Sequence, residues 1–169
     1  MPIVIRARTL ANIRPCIAVL RAVHEHDRYP TRWPDDPEHW LTPKGFLGAW
    51  VATLDPGIVG HVAIGCAEEP VENLVLREAR CSAAELAEIM RLFLHPDLRG
   101  VGIAEKLLHE AVDYALRKSL IPMLAVNARR VQTHGFYERT GWRFVGEGPG
   151  DIMMPDGHQQ MLRYYIMRE

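Results

Sequence analysis

A chain of 169 residues, about half of them apolar, is long enough to bury one core of ordinary size, and its formal net charge of -1 supplies no excess of Lys and Arg for gripping a nucleic-acid backbone. Cys16, Cys66 and Cys81 are odd in number and lack zinc-ligand spacing, which argues for free thiols in a reducing compartment and against a disulfide framework. No stretch reaches the roughly 18 apolar residues of a bilayer span, and the start Met1-Pro2-Ile3-Val4-Ile5-Arg6 lacks a secretory pattern. The expectation is one cytoplasmic domain over residues 1–169, with neither membrane nor nucleic acid as partner.

Pro2 to Ala7 alternates as a strand. Thr9 is an N-cap candidate for a helix from Asn12 to about His26, with Ile13, Ile17, Leu20 and Val23 on one face and Pro15 confined to the first turn. Tyr29 to Pro43 carries four prolines together with Tyr29, Trp33 and Trp40, so it forms no long element. A short helical turn over Asp36 to Leu41 fits, capped by Asp35 or Asp36. Phe46–Leu54 and Ile58–Cys66 flank Asp55-Pro56-Gly57 and predict an antiparallel hairpin. Glu68 to Cys81 is polar and mixed and reads as a loop. The next strand starts near Leu86 and runs to Leu94, its alternation setting Glu88, Met90, Leu92 and Leu94 on one face.

After that strand come Pro96, Gly100 and Gly102, and then a helix to about Lys118 whose apolar face is Ile103, Leu107, Leu108, Ala111, Val112, Ala115 and Leu116. The glycines thus stand in the mouth of a helix, where backbone N–H groups lack helical partners and can hold a phosphate. A Walker A loop would need Lys-Ser/Thr where Ile103-Ala104 stands, and a dinucleotide fingerprint would need a third glycine where Glu105 stands. Both are excluded. Pro122–Val126 is a strand parallel to the one before it. Residues 130–139 form a helix ended by Gly141, and Trp142–Val145 starts another strand. Gly146, Gly148 and Gly150 read as a flexible loop, and a turn at Pro155-Asp156-Gly157 leads into a last strand, Met161–Met167.

The run Arg99-x-x-Gly102-x-Ala104 at a strand-to-helix junction resembles the pyrophosphate signature of the GNAT superfamily of acyl-CoA-dependent N-acyltransferases, and the order of elements resembles that fold over essentially the whole chain. The resemblance implies an α/β architecture (α+β by some schemes) with a mixed central sheet splayed between two parallel strands and flanked by helices. It implies acetyl-CoA as co-substrate. Backbone groups at Leu92, Phe93 and Leu94 would pair with the pantetheine arm, and the amides of Arg99, Gly100, Val101, Gly102, Ile103 and Ala104 would hold the pyrophosphate. Asn127, at a strand end, could bond the pantetheine or a water, although it stands three residues earlier than the asparagine the family often uses. The family commonly pairs as homodimers.

Phe136-Tyr137-Glu138-Arg139-Thr140-Gly141-Trp142 resembles the family segment whose tyrosine lies near the CoA sulfur. A phenol that stays protonated at neutral pH can give a proton to the leaving thiolate. An amine nucleophile must first lose a proton, and Glu88, on the strand entering the glycine loop, is the first candidate base. A plain solvated glutamate accounts for Glu88 equally well, and Glu85, His61 or a water chain stand behind it. Tyr29, Trp33 and Trp40 lie where the family places the acceptor, and with Asp27, Asp35 or Asp36 they would suit a cationic amine. His24-Glu25-His26-Asp27 has the wrong spacing for a metal and reads as a solvated helix end, and Cys81 as an inert thiol. The expected activity is acetyl transfer from acetyl-CoA to a primary amine, of a small molecule by preference, with no metal. A non-catalytic acyl-CoA sensor or scaffold of the same fold, or a protein N-acetyltransferase, is the alternative.

Overall fold

A computed structural model describes residues 2–67 and 73–167. Seven strands form one mixed sheet in the order β1-β2-β3-β4-β5-β7-β6, with helices between them. The chain groups into two compact units, Met1–Gly65 with Ile89–Tyr114 and Cys66–Glu88 with Ala115–Glu169.

The first unit begins with β1 (Val4–Ala7), a 3-10 turn over Leu10–Asn12 and α1 (Ile13–Asp27). Thr9 precedes the turn, and the Asn12 side chain accepts from the Thr9 N–H at 2.9 Å and from Arg6 Nη1 at 2.9 Å, which satisfies an almost buried amide. α1 buries Cys16, Val19, Leu20 and Val23, whereas Ile13 and Ile17 are only partly covered, so the apolar stripe is turned from the one expected. Its partners are Leu41, Val51 and Phe93, each such side chain contributing roughly 1.5–3 kcal/mol on burial. α2 (Pro37–Leu41) follows, with Asp36 as N-cap accepting from the His39 N–H at 3.0 Å and Pro37 at the first helical position.

β2 (Phe46–Leu54) and β3 (Gly57–Cys66) form the expected hairpin, Leu54 opposite Gly57 across Asp55-Pro56. Gly60 of β3 is glycine for want of space: a Cβ there would stand 3.0 Å from Leu107 and 3.1 Å from Leu94. β4 (Leu86–Leu94) does not alternate throughout, because Arg91 has φ +56° inside the strand. That conformation costs a residue with a Cβ about 1 kcal/mol or more and shifts the facing of the residues beyond it. Of the four residues expected on one face, Leu94 is buried while Glu88, Met90 and Leu92 are half-buried. α4 (Ile103–Arg117) buries Ile103, Leu107, Leu108, Ala111, Val112 and Ala115 as expected, but Leu116 is 44% exposed and lies off the stripe.

In the second unit, part of the stretch read as a loop is a helix, α3 (Asn73–Ala79); residues 68–72 of that stretch lie outside the described ones. Two turns of helix cannot hold themselves in water. They are held by Val75 and Ala79, both fully buried against Leu86, Met123, Tyr164 and Ile166. β5 (Ile121–Asn127) pairs parallel with β4 through Leu86–Ile121, Ala87–Pro122 and Glu88–Met123. Among the described residues those are the rungs of the parallel ladder, although β4 continues to Leu94 and β5 to Asn127.

α5 (Val131–Arg139) ends at Gly141, whose φ of +93° closes the turn so that the Trp142 N–H reaches the Tyr137 carbonyl at 3.1 Å. β6 (Arg143–Met153) and β7 (Gln159–Ile166) are antiparallel, and β7 also pairs with β5. The glycines read as a flexible loop therefore lie in a strand. At two of them the space is taken: a Cβ on Gly146 would fall 2.1 Å from Leu74 Cδ2, and one on Gly150 2.7 Å from Gln160 Oε1.

Candidate functional site

Where β4 ends, the His95 N–H donates to the Val59 carbonyl of β3 at 2.8 Å, so the entry to the glycine loop is fixed by the sheet. A 3-10 turn over Pro96–Leu98 follows, and then Gly100 at φ +80° and Gly102 at φ +81°. A Cβ on either glycine would meet nothing within 4 Å. The backbone here is therefore bare on its outer side, and the missing side chains leave open space. The first bond of α4 runs from the Lys106 N–H to the Gly102 carbonyl at 3.2 Å, which leaves the amides ahead of Lys106 without helical partners. Val101, 66% exposed, takes no part in the core. Unpartnered amides, a positive helix end and an accessible backbone fit a pyrophosphate.

Arg99 donates from its guanidinium to Asp27, the last residue of α1, and the second Asp27 oxygen faces His26 Nδ1 at 2.5 Å. These contacts, the Arg99 hydrogen bond foremost, hold the Asp27 carboxyl below the usual carboxylate range despite some burial. Asp27 is thus engaged by Arg99 and His26 of its own chain, partners that its expected part in receiving a cationic substrate did not include. Asp36 is likewise occupied as the α2 cap.

The aromatic residues of the segment after α1 are ordered by the same unit. Tyr29, Trp33 and Trp40 pack partly buried against the α1 core, Tyr29 edge-on to Trp40 with ring centroids 6.1 Å apart. The Arg21 guanidinium lies 4.4 Å from the Trp33 ring centroid and that of Arg91 4.0 Å from the Trp40 centroid. One face of each tryptophan therefore already carries a cation. Arg91 also donates from Nε to the Trp40 carbonyl at 3.1 Å.

His61 of β3 has no exposed surface. Its Nδ1 lies 2.9 Å from the Arg91 carbonyl and so carries the proton, which leaves Nε2 to accept from Arg8 Nη1 at 2.9 Å. Phe93 stacks on the ring at 5.0 Å. Burial pushes its pKa down to about 3, opposed next by the Arg91 carbonyl bond and aided to a lesser degree by the charges of Arg8 and Arg91. With both nitrogens occupied, His61 fastens β3 to β4 and to Arg8 just beyond β1, which leaves neither nitrogen for its expected part as a third candidate base. Arg8 further donates to the Leu41 carbonyl at 2.8 Å and to Thr42 Oγ1 at 2.6 Å. Neither arginine was singled out by the sequence: the partners of Arg8 are distant in the chain, and no local pattern encodes the positive φ of Arg91 in mid-strand.

The remaining candidates belong to the second unit. Tyr137 is half-buried within an aromatic group, its ring 5.1 Å from Phe136, 5.8 Å from Tyr165 and 6.3 Å from Trp142. Glu88 is half-buried on the last of the parallel rungs. Glu85 accepts from the Ser82 N–H at 2.8 Å and from Ser82 Oγ at 2.9 Å, a capping box that explains its place without catalysis. Asn127 Oδ1 accepts from the Arg129 N–H at 3.0 Å and its Nδ2 approaches Met154 Sδ at 3.9 Å. Its side chain shapes the turn after β5. Cys81 is half-buried, while Cys16, in the first unit, is a core thiol whose pKa burial raises to about 11. Among the described residues no group of three or more His, Cys, Asp or Glu side chains could hold a metal ion, and no helix is long and apolar enough to cross a membrane.

Comparison with known proteins bears directly on the glycine loop. Residues 16–142 match the model of the acetyltransferase (GNAT) family. The N-acetylaspartate synthetase of Rattus norvegicus is 31% identical over 117 residues, 69% of this chain and 34% of that protein. An uncharacterised N-acetyltransferase of Methanocaldococcus jannaschii is 32% identical over 104 residues, 61% of this chain and 42% of its own length. The chain thus spans about a third to two fifths of the curated relatives it matches. An N-acetyltransferase from Staphylococcus aureus superposes with a TM-score of 0.75 at 15% identity, covering 99% of this chain and 98% of that one. The ribosomal-protein-S18-alanine N-acetyltransferase of Escherichia coli superposes at 0.72, with 12% identity and 98% and 93% coverage. These two likenesses concern the fold alone. With three quarters of its length inside the family match and the family's loop open at the head of α4, the chain belongs to the acetyltransferase (GNAT) family.

Proposed function

We propose that the protein transfers an acetyl group from acetyl-CoA to the primary amine of a small molecule, and the observation that carries this reading is the bare glycine backbone at Gly100 and Gly102 within the family match. The amides of Arg99, Gly100, Val101, Gly102, Ile103 and Ala104 would hold the pyrophosphate, with Arg99 kept in position by Asp27. The backbone of Leu92, Phe93 and Leu94 would pair with the pantetheine arm, as an added strand pairs with a sheet edge. Acetyl-CoA supplies the thioester carbonyl and a thiolate leaving group.

For an amine to attack that carbonyl its nitrogen must be neutral. Glu88 takes the proton in this reading, directly or through a water. A C–N bond forms and the C–S bond breaks, Tyr137 gives its phenolic proton to the departing thiolate, and the proton that the nitrogen sheds on becoming an amide restores the phenol. Asn127 orders water or the arm at the end of β5. Tyr29, Trp33 and Trp40 wall the acceptor side. The acceptor is taken as small because the N-acetylaspartate synthetases are named for a product in which the acetylated amine belongs to an amino acid.

The test is release of free thiol from acetyl-CoA across a panel of amines, with the acetylated product identified by mass. Amine-dependent release supports transfer to a small molecule. Acetylation of protein amines with no small amine accepted would support the protein N-acetyltransferase instead. Tight acetyl-CoA binding with no transfer to any amine would support a sensor or scaffold. In the active protein Tyr137→Phe should leave acetyl-CoA affinity within a few-fold and lower turnover by roughly 10²-fold, the mark of an interaction made with the leaving group.

A further inference from the structure

On the reading that the chain acetylates a small amine, we infer that this acceptor carries a carboxylate and that Arg91 is the fork that holds it. Arg91 stands inside β4 at φ +56°, where glycine would sit without strain and a residue with a Cβ does not. Three of its parts are engaged. The carbonyl accepts from His61 Nδ1, Nε donates to the Trp40 carbonyl at 3.1 Å, and the guanidinium plane lies 4.0 Å from the Trp40 ring centroid.

The head group therefore has a fixed place, and what remains is its two Nη nitrogens. Among the described residues neither has a hydrogen-bond or ion-pair partner, and neither is sealed from solvent. A planar guanidinium held by Nε and by one face, with both Nη atoms presented, matches the two oxygens of a carboxylate.

The charge around Arg91 agrees with an anionic guest. Arg8 is bound to the same His61 ring, and it too has no carboxylate partner among the described residues. The ring between them is buried and neutral, and among the described residues no carboxylate pairs with either guanidinium. Position agrees as well. The backbone assigned to the pantetheine arm begins at Leu92, one residue beyond Arg91, and the pyrophosphate amides lie further along at Arg99 to Ala104. Arg91 thus stands at the end of that track away from the phosphates, which is the thioester end. A carboxylate seated on it would bring an amine borne on the same small molecule, as in an amino acid, to the carbonyl that it must attack.

A simpler role for Arg91, capping the Trp40 carbonyl at the end of α2, makes a different prediction. Arg91→Lys keeps the positive charge and can keep that cap, but it loses the fork. The experiment compares L-aspartate and other amino acids with their methyl esters, in the wild type and in Arg91→Lys. The wild type should prefer the acids by about tenfold or more in kcat/KM. Arg91→Lys should raise KM for the acids by a like factor and leave KM for acetyl-CoA and for the esters within about twofold. Esters accepted as well as acids by the wild type, or an acid-to-ester ratio untouched in Arg91→Lys, would overturn the proposal.

A protein that turns over no amine would refute the transferase reading without deciding this one. Equilibrium binding then decides it. L-Aspartate and its dimethyl ester are titrated in the presence of CoA while tryptophan emission is followed, since Arg91 lies on Trp40. Binding of the acid alone, lost in Arg91→Lys, sustains the carboxylate fork; equal binding of both, or none, removes it.

Discussion

Glycine occurs in this chain in two stretches that look alike in the sequence and differ in what surrounds them. At Gly100 and Gly102 the backbone is left-handed and a Cβ would touch nothing. At Gly146 and Gly150 of β6 the space a Cβ would take is already filled by Leu74, Gln160 and Leu162. The first pair leaves room beside unpartnered amides, which suits a ligand's approach. The second lets α3 and β7 close on the strand. Composition cannot tell these apart, because a glycine that admits a guest and a glycine that admits a neighbour are the same residue; only the occupant of the missing side chain's volume separates them.

The largest expected effect falls on the packed side. Gly146→Ala sets a methyl against Leu74 at a backbone angle of +147° that favours glycine, and it should cost about 3 kcal/mol or more of stability, read as a lower midpoint in urea. A change under about 1 kcal/mol would mean that α3 yields freely, and the contrast would weaken.

Next in size, taken per pH unit, is a pH effect in the buried polar anchor of the first unit. His61 is held neutral in the fold, its pKa about 3 against an ordinary 6.5. Unfolded chains take up that proton first as the pH falls, so the stability tied to the neutral ring is complete above about pH 6.5 and is lost progressively toward pH 3. The slope is up to about 1.4 kcal/mol per pH unit. In His61→Gln the fall in Tm between those limits should be shallower than in the wild type, and parallel curves would deny the histidine this role. The smallest effect belongs to the open loop. Gly100→Ala meets no atom, so it should lose only the cost of a positive φ, about 1 kcal/mol, in thermal unfolding.

Much of the fold was legible because its elements announce themselves locally. The hairpin around Asp55-Pro56-Gly57, the amphipathic α4 and the Gly141 cap each have a pattern with one physical meaning, and each stands as expected. What escaped the sequence depends on distant partners. α3 is too short for propensity to show and is helical because Val75 and Ala79 find a core. β6 runs on through its glycines because Leu74 and Gln160 need the room. The break in β4 follows from the φ of Arg91, and no alternation of apolar residues reports that angle.

The site divides in the same way. Arg99, Gly100, Gly102 and Ala104 were readable as a motif, since an anion loop is made of contiguous residues. The arginines around His61 were not, because Arg8, Trp40, His61 and Arg91 meet only through folding. Asp27 was visible as an acidic residue beside the aromatic segment, but its bond to Arg99 was not.

The central claim is that the open backbone at the head of α4 holds acetyl-CoA, and the most direct measurement is the thermal unfolding of the wild type and Gly102→Val with and without that ligand. The wild type should gain stability with acetyl-CoA, about 2.7 kcal/mol at a ligand concentration a hundred times Kd. Gly102→Val should remain folded, with a modest loss from its positive φ, and gain nothing from acetyl-CoA, because its side chain stands where the phosphates would approach. An equal gain in the variant would contradict the loop assignment, and no gain in the wild type would contradict acetyl-CoA as the ligand.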